Sequence, residues 1–164
     1  PRLLIRPEQS ADIDAIRALT ARAFDGHPHS DGSEPAIIDR LRATEALTAS
    51  LVAILDDQVI GHVAISPVEW DGGDGWYGLG PVSVDPLHQG RGVGAALIRM
   101  ALDDIRIGGA AGCVVAGDPA YYSRFGFQSD PRWTYPGLPP EYFMALPFAP
   151  VTGAGVVRYH SAFG

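Results

Sequence analysis

Residues 89–94 read Gln-Gly-Arg-Gly-Val-Gly, between an extended run ending Val82-Ser83-Val84 and an amphipathic run that begins at Val93. Closely spaced glycines let a backbone approach a ligand without Cβ atoms in the way. A loop that then enters a helix aims several unpaired N–H groups, and the positive end of the helix dipole, at one spot. Such a spot suits a phosphate. Two familiar phosphate loops fit poorly. A P-loop needs Lys followed by Ser or Thr after its last glycine, whereas Ala95-Ala96 follow Gly94. A dinucleotide fold places its loop after the first strand, with an acid about 20 residues on; here the loop falls mid-chain and residues 112–116 are apolar. Other groups able to do chemistry are scattered. His62 has a side chain that titrates near neutrality, and Glu69 and Asp85 offer carboxylates. His27 and His29, with Asp25 and Asp31, lack a further well-spaced ligand set, so no metal is expected. Cys113 stands in an apolar run and reads as inert core.

The elements that must hold these groups alternate along the chain. A first strand covers 3–6. A helix follows to residue 24, capped by Ser10 or Asp12, with Ile13, Ile16, Leu19, Ala23 and Phe24 at helical spacing. Residues 25–32 are a loop by composition, and a second helix spans about 34–42. Apolar, β-branched runs at 48–55 and 58–69 form a hairpin around Asp56-Asp57. A fourth strand covers 76–84. In the helix after the loop, Val93, Leu97, Ile98, Ala101, Leu102 and Ile105 make a buried stripe, ended by Gly108-Gly109. A short buried strand at 112–116 and a short helix over 119–125 follow, with Asp118 as its N-cap. The stretch 128–141, with Pro131, Pro136, Pro139, Pro140, Trp133 and Tyr135, is too proline-rich for a helix or central strand; we expect it to wall a substrate pocket. Terminal strands lie near 142–147 and 155–160.

Composition bounds the class. The 164 residues suffice for one domain spanning 1–164, and 46% hydrophobic with 19% charged content is ordinary for a globular protein. No apolar run approaches the roughly 20 residues of a membrane span, the first six residues are too short and too charged for a signal peptide, and one cysteine excludes an internal disulfide framework. A cytoplasmic protein without a membrane partner is expected. The net charge of −7, with no basic stripe, argues against nucleic acid. A polyanionic ligand would therefore be held locally, by the loop amides and Arg91. All twelve basic residues are arginine.

Gln89-x-x-Gly92-x-Gly94 after Val82-Ser83-Val84-Asp85-Pro86 resembles the acyl-CoA signature of the GNAT superfamily of N-acetyltransferases. Tyr122-Ser-Arg-Phe-Gly126-Phe127 resembles its later tyrosine-to-Gly-Phe motif. Weaker likeness extends to Gly61-His62, Ser66-Pro67-Val68 and the tail 156–160, and is to a bacterial subgroup whose substrates are mostly unassigned. One departure is Gly117-Asp118-Pro119, where many members carry an asparagine. The resemblance implies an α/β fold: a mostly antiparallel twisted sheet with a splayed parallel central pair and helices on both faces. It implies acetyl-CoA as co-substrate, with the amides of Gly90, Arg91, Gly92, Val93 and Gly94, beside Gln89, at the pyrophosphate and the main chains of Val82 and Val84 at the pantetheine. It implies direct transfer to a primary amine, on a small molecule or peptide, with no metal. Tyr122 would lie beside the coenzyme sulfur as general acid, and His62 is a candidate base. A non-catalytic acyl-CoA-binding sensor on the same scaffold is the alternative, and a homodimer is left open.

Overall fold

The computed structural model describes residues 2–164. Eight strands form a mixed, mostly antiparallel sheet with hydrogen-bonded order β1-β2-β3-β4-β5-β7: β1 (Leu4–Pro7), β2 (Ala49–Leu55), β3 (Gln58–Trp70), β4 (Trp76–Val84), β5 (Gly112–Ala116) and β7 (Phe143–Pro147). The two others are β6 (Trp133–Thr134) and β8 (Gly155–Tyr159). The helices are α1 (Ile13–Phe24), α2 (Glu34–Ala43), α3 (Val93–Ile107) and the single turn α4 (Pro119–Tyr122). The chain divides into two compact units, the first made of residues up to Ile65 with Gly80–Ala101, the second of Ser66–Leu79 with Leu102–Gly164.

In the first unit β1 and β3 flank β2, both antiparallel to it. Asp56 and Asp57 close the β2–β3 hairpin with φ of 49° and 63°, between Leu55 and its partner Gln58. Two consecutive left-handed residues match the twist of paired strands, and aspartate tolerates that conformation better than most residues. Ile16 of α1 and Ile38 of α2 pack with Val52, Ile54 and Val59, so α1 and α2 cover one sheet face. Helix α3 covers the other. There Gly61 sits so near Leu97 and Val93 that an added Cβ would come within 2.9 Å and 3.0 Å of their methyls. Asp12 does not cap α1 with its side chain, contrary to the sequence expectation. Its carboxylate turns back to the Gln9 N–H (2.7 Å) and to Arg6 (2.7 Å), because a cationic partner on β1 is within reach.

In the second unit β4 and β5 run parallel in the register Trp76↔Gly112, Tyr77↔Cys113 and Gly78↔Val114. That register covers three residue pairs although β4 runs on to Val84 and β5 to Ala116. Strand β5 pairs antiparallel with β7 along its whole length, and β8 pairs with β3 at Val68, Glu69 and Trp70. The sequence reading missed β6, two residues parallel to β8 inside the proline-rich stretch. The core here is aromatic: Trp133 stacks on Trp70 (4.8 Å between ring centroids) and lies 5.1 Å from Trp76.

Candidate functional site

The glycine-rich loop belongs to the first unit. Asp85 begins it. Its N–H bonds Ile60 O (2.8 Å), its carboxylate accepts from the Leu87 N–H (3.0 Å), and its other oxygen takes Arg22 of α1 at 3.0 Å. The Leu87 N–H, followed by Arg22, holds the Asp85 carboxyl below the usual aspartate range. Gln89 closes the turn from the other side, donating its amide to Val84 O at 3.1 Å. Gly90 and Gly92 then adopt φ of 79° and 81°, in the left-handed region that only glycine enters freely, and a Cβ on either would meet no atom within 4 Å. Gln89, Gly90, Arg91 and Gly92 are exposed and Val93 is buried as α3 begins. These residues form an exposed backbone segment at the start of a fifteen-residue helix, the kind of position whose free amides can meet an anion. Val82 and Val84 are half-buried on β4 just before it.

His62 lies in the same unit, wholly buried on β3. Its Nε2 is 2.7 Å from Ser50 Oγ on β2, and Ser50 Oγ bonds Glu8. Arg42 of α2 grips both oxygens of Glu8 at 2.9 Å. Burial is the main cause that pushes the His62 imidazole down to about 4; the Glu8 charge opposes this and Arg42 reinforces it. For Glu8, burial alone would raise the carboxyl, but hydrogen bonds from Arg42 and Ser50 outweigh it and the group sits below its usual range. The sequence reading had no signal for this assembly, since Glu8 and Arg42 come to His62 from 42 and 34 residues away from their respective partners Ser50 and Glu8. The other sequence candidates are occupied elsewhere. Asp85 is the loop's own anchor, and Glu69 is exposed beside Arg158 at 3.8 Å. Among the described residues no three His, Cys, Asp or Glu side chains gather as metal ligands.

Tyr122 lies in the second unit. Asp118 caps α4 through the Ala120 N–H (2.9 Å), as the sequence suggested, and so fixes where the helix starts. One edge of the Tyr122 ring packs against Gly117, where a Cβ would come within 2.4 Å of it, and the ring lies edge-on to Phe127 at 6.1 Å. Burial pushes its phenol up to about 12, with a smaller contribution from Tyr121. The Tyr121 ring turns aside under the Arg124 guanidinium, 4.5 Å away. Cys113 is buried, and burial raises its thiol far above the usual range, consistent with inert core. Trp133, expected in a pocket wall, is 3% exposed and is mainly core; its neighbours Tyr135, Leu138 and Phe143 bound, with it, a cavity of about 320 Å³ on the 129–143 stretch.

Known proteins are similar to this chain in sequence and fold over nearly its whole length. A family model described as an acetyltransferase (GNAT) domain matches residues 4–129. A GNAT family acetyltransferase from Brucella melitensis, solved in complex with acetyl-CoA, is 47% identical over 99% of both chains, with a TM-score of 0.89. The uncharacterized N-acetyltransferase YhbS of Escherichia coli K12 is 39% identical over 169 residues, 98% of each chain. The Escherichia coli YhbS crystal structure, in complex with CoA, superposes with a TM-score of 0.88 at 38% identity, covering 99% of this chain and 92% of that one. With its fold, its glycine loop and its tyrosine motif in the matched order, the chain belongs to the GNAT family of acetyltransferases.

Proposed function

We propose that this protein transfers the acetyl group of acetyl-CoA to a primary amine, on a small molecule or peptide, within a single ternary complex. The observation that carries the reading is the left-handed, unobstructed backbone of Gly90 and Gly92 at the head of α3, in a chain 47% identical to one solved with acetyl-CoA. In this reading the amides from Gly90 to Gly94, with Gln89 and Arg91 alongside, hold the pyrophosphate, and the main chains of Val82 and Val84 bond the pantetheine amides. Attack of the amine on the thioester expels a thiolate, which Tyr122 protonates as general acid. A phenol pushed up to about 12 stays protonated at neutral pH. The burial responsible would equally penalise a thiolate held beside it, which keeps donor and acceptor matched. His62 serves as the base that takes the amine's proton.

The test has two readouts. Acetyl-CoA should raise the melting temperature of the protein by mass action, and a panel of primary amines should include one that releases free thiol from acetyl-CoA. Binding without thiol release for any amine would favour a non-catalytic acyl-CoA-binding module instead. Neither binding nor release would remove the proposal altogether. Once an acceptor is found, Tyr122→Phe should lower kcat by about 10²- to 10⁴-fold and leave the thermal shift intact. Tyr121→Phe, whose ring points elsewhere, should change little.

A further inference from the structure

A serine hydroxyl carries one hydrogen, and at Ser50 its destination can be deduced. Glu8 is gripped by Arg42 at both oxygens and held ionised, so its carboxylate can only accept, and Ser50 Oγ donates to it. The other contact of Ser50 Oγ, to His62 Nε2 at 2.7 Å, must then run the opposite way, with Nε2–H as donor. A neutral imidazole protonated at Nε2 carries a bare lone pair at Nδ1. Among the described residues, His62 Nδ1 has no hydrogen-bond partner and is buried. Ser83 Oγ on β4 is likewise buried without a partner, as are Ser66 Oγ and Trp133 Nε1. The bond from the Asp85 N–H to Ile60 O makes those two residues cross-strand partners. Two residues further along each strand stand His62 and Ser83, on one face of the sheet.

We infer that Arg42, Glu8 and Ser50 are a positioning chain that locks His62 in the Nε2–H tautomer and reserves Nδ1 as the acceptor of the amine's proton. The inference rests on the acetyl transfer proposed above. In the step itself an ammonium N–H bond breaks and an Nδ1–H bond forms, giving free amine and imidazolium. The imidazolium keeps its Nε2–H on Ser50, whose own hydrogen remains on Glu8, so the carboxylate charge reaches the new cation through one hydroxyl. The charged groups acting on the ring are Glu8 and Arg42, with opposite signs, and burial opposes the cation. Glu8, Arg42 and Ser50 also line an open cavity of about 370 Å³, which gives the chain's outer end access to solvent.

The experiment begins with the unaltered protein. Two-bond ¹H–¹⁵N NMR at neutral pH, with His62→Asn for assignment, should show His62 as the Nε2–H tautomer; finding Nδ1–H would overturn the inference without reference to activity. With an acceptor amine in hand, Ser50→Ala should lower kcat at least tenfold while the KM for acetyl-CoA stays near wild type, and Ser50→Thr should restore most of the loss. Glu8→Gln should move the acidic limb of the kcat profile to lower pH, because the carboxylate charge raises the His62 pKa. Wild-type kcat and an unshifted acidic limb in both Ser50→Ala and Glu8→Gln would refute the chain. If wild-type protein releases no thiol with any amine, the acetyl-transfer reading fails, and the NMR arm still decides the tautomer.

Discussion

At the residue scale, one side chain is held by what its neighbour lacks. The Tyr122 ring lies on Gly117 because that residue has no Cβ; adding one would place it 2.4 Å from the ring edge. Gly117→Ala should therefore push the phenol aside. We expect a fall in kcat with the acetyl-CoA thermal shift retained, and a stability cost of about 1–3 kcal/mol from overpacking, read by steady-state kinetics and urea melts of the same sample. Unchanged kcat would mean that the ring's position on Gly117 is immaterial. Tyr122 was singled out by its sequence motif, and Asp118 was legible as a cap from its place before Pro119. The restraint from Gly117 was not legible, because a missing Cβ acquires meaning only when another ring occupies its place. His62 shows the same limit. Its residue type suggested a proton acceptor, yet its tautomer depends on Ser50 and Glu8, which no local spacing connects.

At the scale of elements, the loop before α3 works through backbone conformation. Gly92 has φ of 81° and open space where a Cβ would stand. Valine there meets no protein atom, but its branched side chain disfavours the left-handed conformation and would fill the space proposed for the coenzyme. Gly92→Val should thus abolish the acetyl-CoA thermal shift while the ligand-free melting temperature falls only modestly; a full thermal shift in the variant would exclude the loop from binding. Gly61→Ala tests a different link. It would set a methyl within about 3 Å of Leu97 and Val93, pushing α3 away from β3 and displacing the loop that α3 begins. Weaker acetyl-CoA binding should accompany a lower melting temperature. The helices, the hairpin and the loop were readable from periodicity and turn chemistry. Strand β6 was not, since two residues between prolines carry no periodic signal, and its pairing to β8 comes from a segment more than twenty residues on.

For the whole molecule, burial of ionisable groups sets the response to acid. The His62 imidazole is depressed from 6.5 to about 4. Below 6.5 the unfolded chain takes up a proton that the native ring refuses, so stability present above that pH declines as pH falls from about 6.5 toward 4. The shift corresponds to roughly 3 kcal/mol at most. Glu8, held below its usual range by Arg42 and Ser50, adds in the same direction, its contribution being lost as pH drops through its native value. Urea unfolding at pH 7.5 and 5 should show the protein less stable at the lower pH, with the difference reduced in His62→Asn relative to that variant's own stability at pH 7.5. Equal pH dependence in the two proteins would show that His62 does not titrate as argued. The net charge of −7 gives no overall field that favours an anion, so the proposed coenzyme contact would rest on local groups such as the exposed amides at the head of α3.

The sequence alone determined the order of the elements other than β6, the glycine-rich turn at residues 89–94 and the tyrosine motif, because each is written in adjacent residues: glycine where the backbone must turn left-handed, apolar residues at helical or strand spacing, an aspartate before a helix. It also sufficed to place the chain beside the GNAT family. Only the tertiary structure decided that Trp133 belongs mainly to an aromatic core, that Asp85 anchors the loop through Arg22, and that His62 is buried against Ser50 and Glu8. Those outcomes depend on which distant residues arrive on one face of the sheet, and on how completely water is excluded from between them. Neither is encoded at any fixed spacing along the chain.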